Sequence, residues 1–284
     1  MNRKTIYIIL TAIVLVIAAV ITFFILKGNS GSPTLEDPAF NSPQVTEDPY
    51  VATVTFPEGF TVTQIAEKLE ENSVCSKEDF LEAVNNPSEE ILQELGIENR
   101  EDRIFTLEGY VFPDTYEFYK GESASSVLQR FIDNYRVKIT ENDKQRAAEL
   151  GYTMDEIIRI ASIIQEESGR PEQDMKVSSV LHNRLNTSTK IECDVTITYL
   201  EDYCAPYLTN GLTDENRENY NTYKCLALPA GPITNPGYSA IQAALYPEQT
   251  NYLFFVTDKD WNYYYAATWA EHVANCRTAE IPGY

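Results

Sequence analysis

The sequence predicts an α+β protein laid out as one apolar N-terminal helix, a small α/β unit and a larger mixed remainder. Three observations predict it. Residues 6–26 carry no charged side chain over a length that crosses a bilayer as a helix. Residues 28–49 are rich in Gly, Ser, Pro and acid, the composition of a flexible tether. From residue 51 onward, strand-like alternation and helix-like spacing both occur.

Asn2, Arg3 and Lys4 precede the apolar run, and no small-residue cleavage pattern follows it. The run reads as an uncleaved transmembrane signal anchor. The basic tail, residues 1–5, then stays in the cytoplasm and everything past the linker at 27–49 lies outside. Residues 51–56 alternate as a strand. Thr61 or Thr63 caps a helix at 63–72, Ser76 caps the next, and a third short helix follows near residues 88–96. The larger part starts at Arg103. It opens with a helical stretch at 124–150, broken near 140–142, and continues with a helix at 153–168 stopped by Gly169. Pro171 opens another helix. A Pro/Gly loop at 227–237, a helix from Tyr238, a hairpin built on Tyr252–Thr257 and a last short helix complete the chain.

The composition is that of a globular protein, with 43% hydrophobic residues. A formal net charge of -21 excludes nucleic acid as the main partner, because phosphate binding needs clustered Lys and Arg. All five cysteines lie beyond the apolar run, where an oxidising compartment permits disulfides. Cys193 and Cys204 flank a short segment and are either a bonded pair or two small buried residues. There are 2 histidines and no Cys-x-x-Cys or His-x-x-x-His spacing, so neither a metal nor a cofactor is expected.

Glu166 and Glu167 end the helix at 153–168. On a helical wheel, Met154, Ile157, Ile158, Ile160, Ala161, Ile163 and Ile164 form one apolar face. Glu166 falls about 180° from its centre and Glu167 about 80° away, at the border of the core. The helix C-terminus and partial desolvation both disfavour a charged Glu167. They favour the protonated state that a general acid needs. The other reading of Glu167 is a boundary glutamate paired with Arg170 or Arg184.

Other segments stand beside "ASIIQEESG" in a fixed order: "LEGYVFPDTYEF", "VSSVLHNRL", "DVTITY", "YNTY", "LPAGPITNPG" and "EHVAN". Together they resemble the MltG-type (YceG-like) endolytic murein transglycosylases over about residues 50–284. The resemblance implies a LysM-like domain at 50–102 and a transglycosylase catalytic domain at 103–284. It carries the catalytic glutamate onto Glu167. The family's L-Q-S-D-P-T segment appears as "IECDVT": Asp194 and Thr196 are kept, while Glu192, Cys193 and Val195 depart.

The implied activity is that of a lytic transglycosylase at the bacterial cell membrane. It cuts MurNAc–GlcNAc bonds in nascent peptidoglycan strands and leaves 1,6-anhydro ends. Glu167 protonates the glycosidic oxygen and later accepts the C6 hydroxyl proton. Glu108, Tyr110, Asp194, Thr196, Asn221, Tyr223 and Asn235 are the candidate substrate-binding residues, with Tyr116 and Tyr199 as further aromatic faces. The implied partners are glycan strands, the membrane and the cell-wall synthesis machinery. Two other readings stand: an inactive wall-binding module, and a hydrolase using a second carboxylate.

Overall fold

The computed structural model describes residues 50–98, 100–225 and 227–284. The expected membrane helix and tether lie outside the described residues. Among the described residues, no helix is long and apolar enough to cross a membrane.

Strand β1 (Val51–Thr55) turns Ala52 and Val54 inward and Thr53 and Thr55 outward. Helix α1 (Val62–Glu71) starts at Thr61, which forms a reciprocal capping box with Gln64. Thr63 takes no part in the cap beyond a 2.8 Å bond between the two threonine hydroxyls. Ser76 caps α2 (Lys77–Asn85), and Ser88 caps α3 (Glu89–Leu95). Strand β2 (Thr115–Tyr119) pairs antiparallel with β1, placing Val51 opposite Tyr119 and Thr55 opposite Thr115. Helix α4 (Ala124–Lys138) lays Phe131 on Phe56 and Tyr116, with ring centroids 5.2 Å and 4.5 Å away. The partner strand of β1 therefore comes from beyond the boundary expected at 102/103. No break in packing occurs there, and the described residues form one compact unit.

The chain between α3 and β2 passes through the interior of the larger part. Arg103 donates to Asp155 at 2.7 Å and 2.6 Å, and the Tyr110 hydroxyl and Arg159 share the same carboxylate. Thr140 caps α5 (Glu141–Leu150), where the sequence predicts the break. Helix α6 (Met154–Glu167) buries Ile157, Ile158, Ile160, Ala161, Ile163 and Ile164. After a short 3-10 turn at Pro171–Gln173 comes α7 (Asp174–Asn186). The next segment is α8 (Val195–Thr198), extended by a wide turn at Tyr199–Cys204, and then α9 (Asp214–Tyr220). Helix α10 (Tyr238–Leu245) packs chiefly on α6 and also on α7. Strands β3 (Phe254–Thr257) and β4 (Tyr263–Ala266) form the expected hairpin, covered by α11 (Trp269–Thr278).

All five cysteines are free thiols. Cys193 and Cys204 are each buried separately, so the bonded alternative gives way to the packed one.

Candidate active site

Glu167 ends α6, and the β3–β4 hairpin holds that end in place. The Gly169 N–H donates to the Tyr263 hydroxyl at 2.8 Å, and that hydroxyl donates to the Glu167 carbonyl at 3.2 Å. Arg170 donates to the Asp260 carbonyl at 3.2 Å. Gly169 is not a left-handed helix stop, as the sequence suggests. Ser168 caps the helix with extended backbone. Glycine at 169 lets the Trp261 ring lie against the backbone, where a Cβ would force that ring to move.

The Glu167 side chain is half-buried, and Glu166 beside it is exposed. Both exposures match the helical wheel, although the Glu166 carboxyl itself is pushed up by burial and hydrogen-bonds Thr234. Glu167 lines a cleft of about 490 Å³, together with residues of α7, the 191–195 loop, the hairpin and α11. Burial pushes its carboxyl up to about 7, opposed by a hydrogen bond from the Cys193 thiol and reinforced by the charges of Asp194 and Glu166. Neither arginine named as an alternative partner pairs with it. Arg170 lies on the hairpin, and Arg184 donates to the carbonyls of Leu253, Lys190 and Ile191 and to Glu192. Glu167 thus faces the cleft with a titratable proton and no ion pair to Arg170 or Arg184.

The wall opposite α6 joins two segments that are far apart in sequence. The Thr222 hydroxyl accepts from the Cys193 N–H at 2.9 Å, and the Thr196 hydroxyl donates to the Cys193 carbonyl at 2.9 Å. These bonds fix Cys193 against Glu167. The Tyr223 hydroxyl donates to Asp194 at 2.8 Å, so both side chains stand in the cleft. Arg184 anchors the same loop from below.

The structure brings Glu167, Asp194 and Tyr223 together. It places the other expected site residues elsewhere. Thr196 is fully buried and acts behind the wall. Asn221 follows α9, and its side-chain oxygen accepts from the Tyr223 N–H at 2.9 Å. Tyr110 and Tyr199 are interior, and the Tyr116 hydroxyl donates to the Phe112 carbonyl.

Glu108 and Asn235 form a buried knot. Asn235 accepts from the N–H groups of Gly109 and Val111 at 2.9 Å each and donates to Glu108 at 2.8 Å and to the Phe60 carbonyl at 2.9 Å. Glu108 also accepts from Val62 N–H, at the start of α1, at 3.0 Å and from the Tyr199 hydroxyl at 3.3 Å. Gly109 sits at φ +90 with Pro232 so close that a Cβ would lie 2.5 Å from it. Glu108 and Asn235 therefore hold α1, the 107–111 segment and the Pro/Gly loop together, and neither lines the cleft.

Several cleft residues were not among the expected substrate contacts: Cys193 and Arg184, named for other roles, and Phe254, Trp269, His272 and Tyr284. "EHVAN" was the available signal for His272. Among the described residues, no cluster of His, Cys, Asp or Glu could hold a metal ion.

Comparison with known proteins gives a consistent set of matches. The YceG-like family profile matches residues 37–278. An endolytic murein transglycosylase of Streptococcus pneumoniae (strain D39) is 26% identical over 251 residues, covering 81% of this chain and 45% of that protein. The Bacillus subtilis (strain 168) protein of the same name is 28% identical over 233 residues, covering 78% and 64%. This chain thus spans about half to two-thirds of the length of those relatives. A crystal structure of a yceG-like protein from Listeria monocytogenes matches at a TM-score of 0.66 and 28% identity, covering 79% of this chain and 76% of that one.

Proposed function

We propose that this chain, which belongs to the YceG-like family, is an endolytic murein transglycosylase with Glu167 as its acid and base. One observation carries the reading: a carboxyl held protonated up to about pH 7, open to a cleft, at the position the family motif gives its catalytic glutamate. The names of the relatives from S. pneumoniae and B. subtilis support the substrate. The cleft's charges fit it too. Glu167, Glu192 and Asp194 face it, and the Arg184 guanidinium is already engaged by carbonyls and Glu192. Such a cleft suits hydroxyl- and amide-rich strands and repels phosphate.

In the proposed reaction, the Glu167 carboxyl gives its proton to the glycosidic oxygen as the bond from the MurNAc anomeric carbon to that oxygen breaks. The Asp194 carboxylate stabilises the oxocarbenium-like charge. The C6 hydroxyl of the same sugar attacks the anomeric carbon, and its proton returns to Glu167. No water is consumed, and the product ends in a 1,6-anhydro sugar. Asp194 also favours the second reading, a two-carboxylate hydrolase, because it is a second acid in the same cleft.

Mass analysis of product ends from purified glycan strands separates these readings. Anhydro ends, lighter than reducing ends by one water, are expected. Reducing ends would assign the hydrolase, and strands bound but uncut would assign an inactive wall module.

The same proposal includes an anchor at residues 6–26 that keeps the catalytic part outside the bacterial cell membrane, near the wall-synthesis machinery. The apolar run and its basic flank support it. The β1–β2 pairing around α1 and α2 supports a LysM-like unit that takes its second strand, Thr115–Tyr119, from beyond residue 102. Recovery of the full chain in the soluble fraction after lysis would sink the anchor.

A further inference from the structure

At the rim of the Glu167 cleft stands a group of rings that the reaction above does not use. Trp269 opens α11 and Tyr284 follows its end, and they are 57% and 49% exposed. Their centroids are 6.3 Å apart and their planes inclined by 59°. His272 lies between them, 5.4 Å from Trp269 and 6.2 Å from Tyr284. Phe254 stacks under His272 at 5.1 Å, and the Arg184 guanidinium sits 5.0 Å from the Phe254 ring. Burial and Arg184 both disfavour the charged imidazole, so His272 serves as a neutral ring. The base of the group is held by aromatic packing, while its outer rings are open to water and continuous with the cleft.

Single exposed aromatics are ordinary, but a contiguous patch joined to a cleft marks a binding surface. Two features name the occupant. Asp194 and Glu192 stand in the same cleft and offer acceptors to hydroxyls, with no uncommitted cation among the cleft side chains to attract an anionic headgroup. The rings offer flat apolar faces. Pyranoses with equatorial substituents present both chemistries: hydroxyls around the edge, and axial C–H bonds on the face that packs on an aromatic ring.

We propose that Trp269, His272 and Tyr284 form a sugar-stacking subsite that takes the face of an equatorially substituted N-acetylhexosamine next to the scissile bond. The subsite rests on the glycan reading of the Glu167 cleft. It acts by binding and contributes nothing to proton transfer.

The test uses the full-length chain with peptide-free glycan strands as the probe. In a Glu167→Gln background, calorimetry should show Trp269→Ala weakening strand binding about tenfold, the worth of one stacked ring. Tyr284→Ala should weaken it less, and Trp269→Phe should restore most of the affinity. With Glu167 intact, Trp269→Ala should raise KM and leave kcat nearly unchanged. Tyr119→Ala, an exposed ring on β2, serves as the control, and melting curves check each fold. Unchanged affinity in Trp269→Ala and Tyr284→Ala, with strands still cut by the parent chain, would overturn the subsite and leave the glycan reading standing. A parent chain that neither binds nor cuts strands would bring down both. Loss of binding to anionic lipid vesicles in place of strands would assign the patch to a membrane surface and also overturn the proposal.

Discussion

Glu108 and Glu167 both hold their protons above the ordinary carboxylate range, to about 8 and about 7. Burial is the first cause in each, yet the two sites are built in opposite ways. Glu108 is fully buried and receives hydrogen bonds from Val62, Asn235 and Tyr199, groups of three separate segments. Glu167 has the Cys193 thiol beside it and open space in front. A raised pKa alone therefore does not mark a catalytic acid. Access to a substrate and a proton not committed to the fold mark it.

The sharpest way to break the comparison is to change each acid to its amide. Glu167→Gln should cost about 10²–10⁴ in rate or more, with little change in melting temperature, because the amide keeps the shape but carries no acidic proton. Glu108→Gln should keep most of the activity. An active Glu167→Gln, or a folded but dead Glu108→Gln, would reverse the two roles.

This difference was only half legible in the sequence. The wheel gave the exposure of Glu166 and the border position of Glu167, because a helix period is local information. The cap at Ser76, the break near residues 140–142 and the helix start near 153 were legible for the same reason. Strand β2 escaped because "TYEFY" is short and its partner lies far back at residues 51–55. That non-local pairing ties residues 51–55 to a strand beyond residue 102. Glu108 and Asn235 stood out as polar residues in distinctive motifs, but no spacing rule tells a buried cross-link from a substrate contact. Cys193 was visible as half of a candidate pair with Cys204 and as a departure from the family pattern, not as a neighbour of Glu167. Its place against Glu167 depends on Thr196 and Thr222, brought together by the fold. The aromatic rim is assembled from the β3 strand, α11 and the segment after it, and no single stretch announces it.

A second effect falls on stability. Glu108→Ala leaves the Val62, Asn235 and Tyr199 donors without their acceptor. At about 1–3 kcal/mol for each buried unsatisfied group, a loss of about 3 kcal/mol or more is expected in denaturant unfolding. Glu108→Gln should lose less, since its carbonyl still accepts two of the bonds.

The pH dependence follows from the same shift. The folded chain keeps the Glu108 proton from an ordinary 4.5 up to about 8, so it binds more protons than the unfolded chain in that window. Stability contributed by the neutral acid is full below about 4.5 and is lost as pH rises toward about 8. Melting temperature should therefore fall over that range and fall less steeply in Glu108→Gln. Equal slopes would show that Glu108 does not carry the effect.

The smallest effect should come from Glu166, exposed at the end of the same helix. Glu166→Gln should stay within about 0.5 kcal/mol of the parent in stability, because the amide oxygen can keep the hydrogen bond with Thr234. It should cut strands at a nearly unchanged rate, since it removes one charge that raises the Glu167 pKa and no contact in the cleft. A dead Glu166→Gln would move the chemistry one residue back along α6.

The most direct measurement is the pH dependence of kcat/KM for strand cleavage in the parent and in Asp194→Asn. A protonated Glu167 is required, so the rate should fall as pH rises through about 7. The Asp194 charge helps to hold that proton, so Asp194→Asn should move the fall to lower pH, whatever it does to the maximum rate. A fall that stays in place in Asp194→Asn would assign the retained proton to burial alone, while a rate that keeps rising with pH past about 8 would contradict Glu167 as the acid.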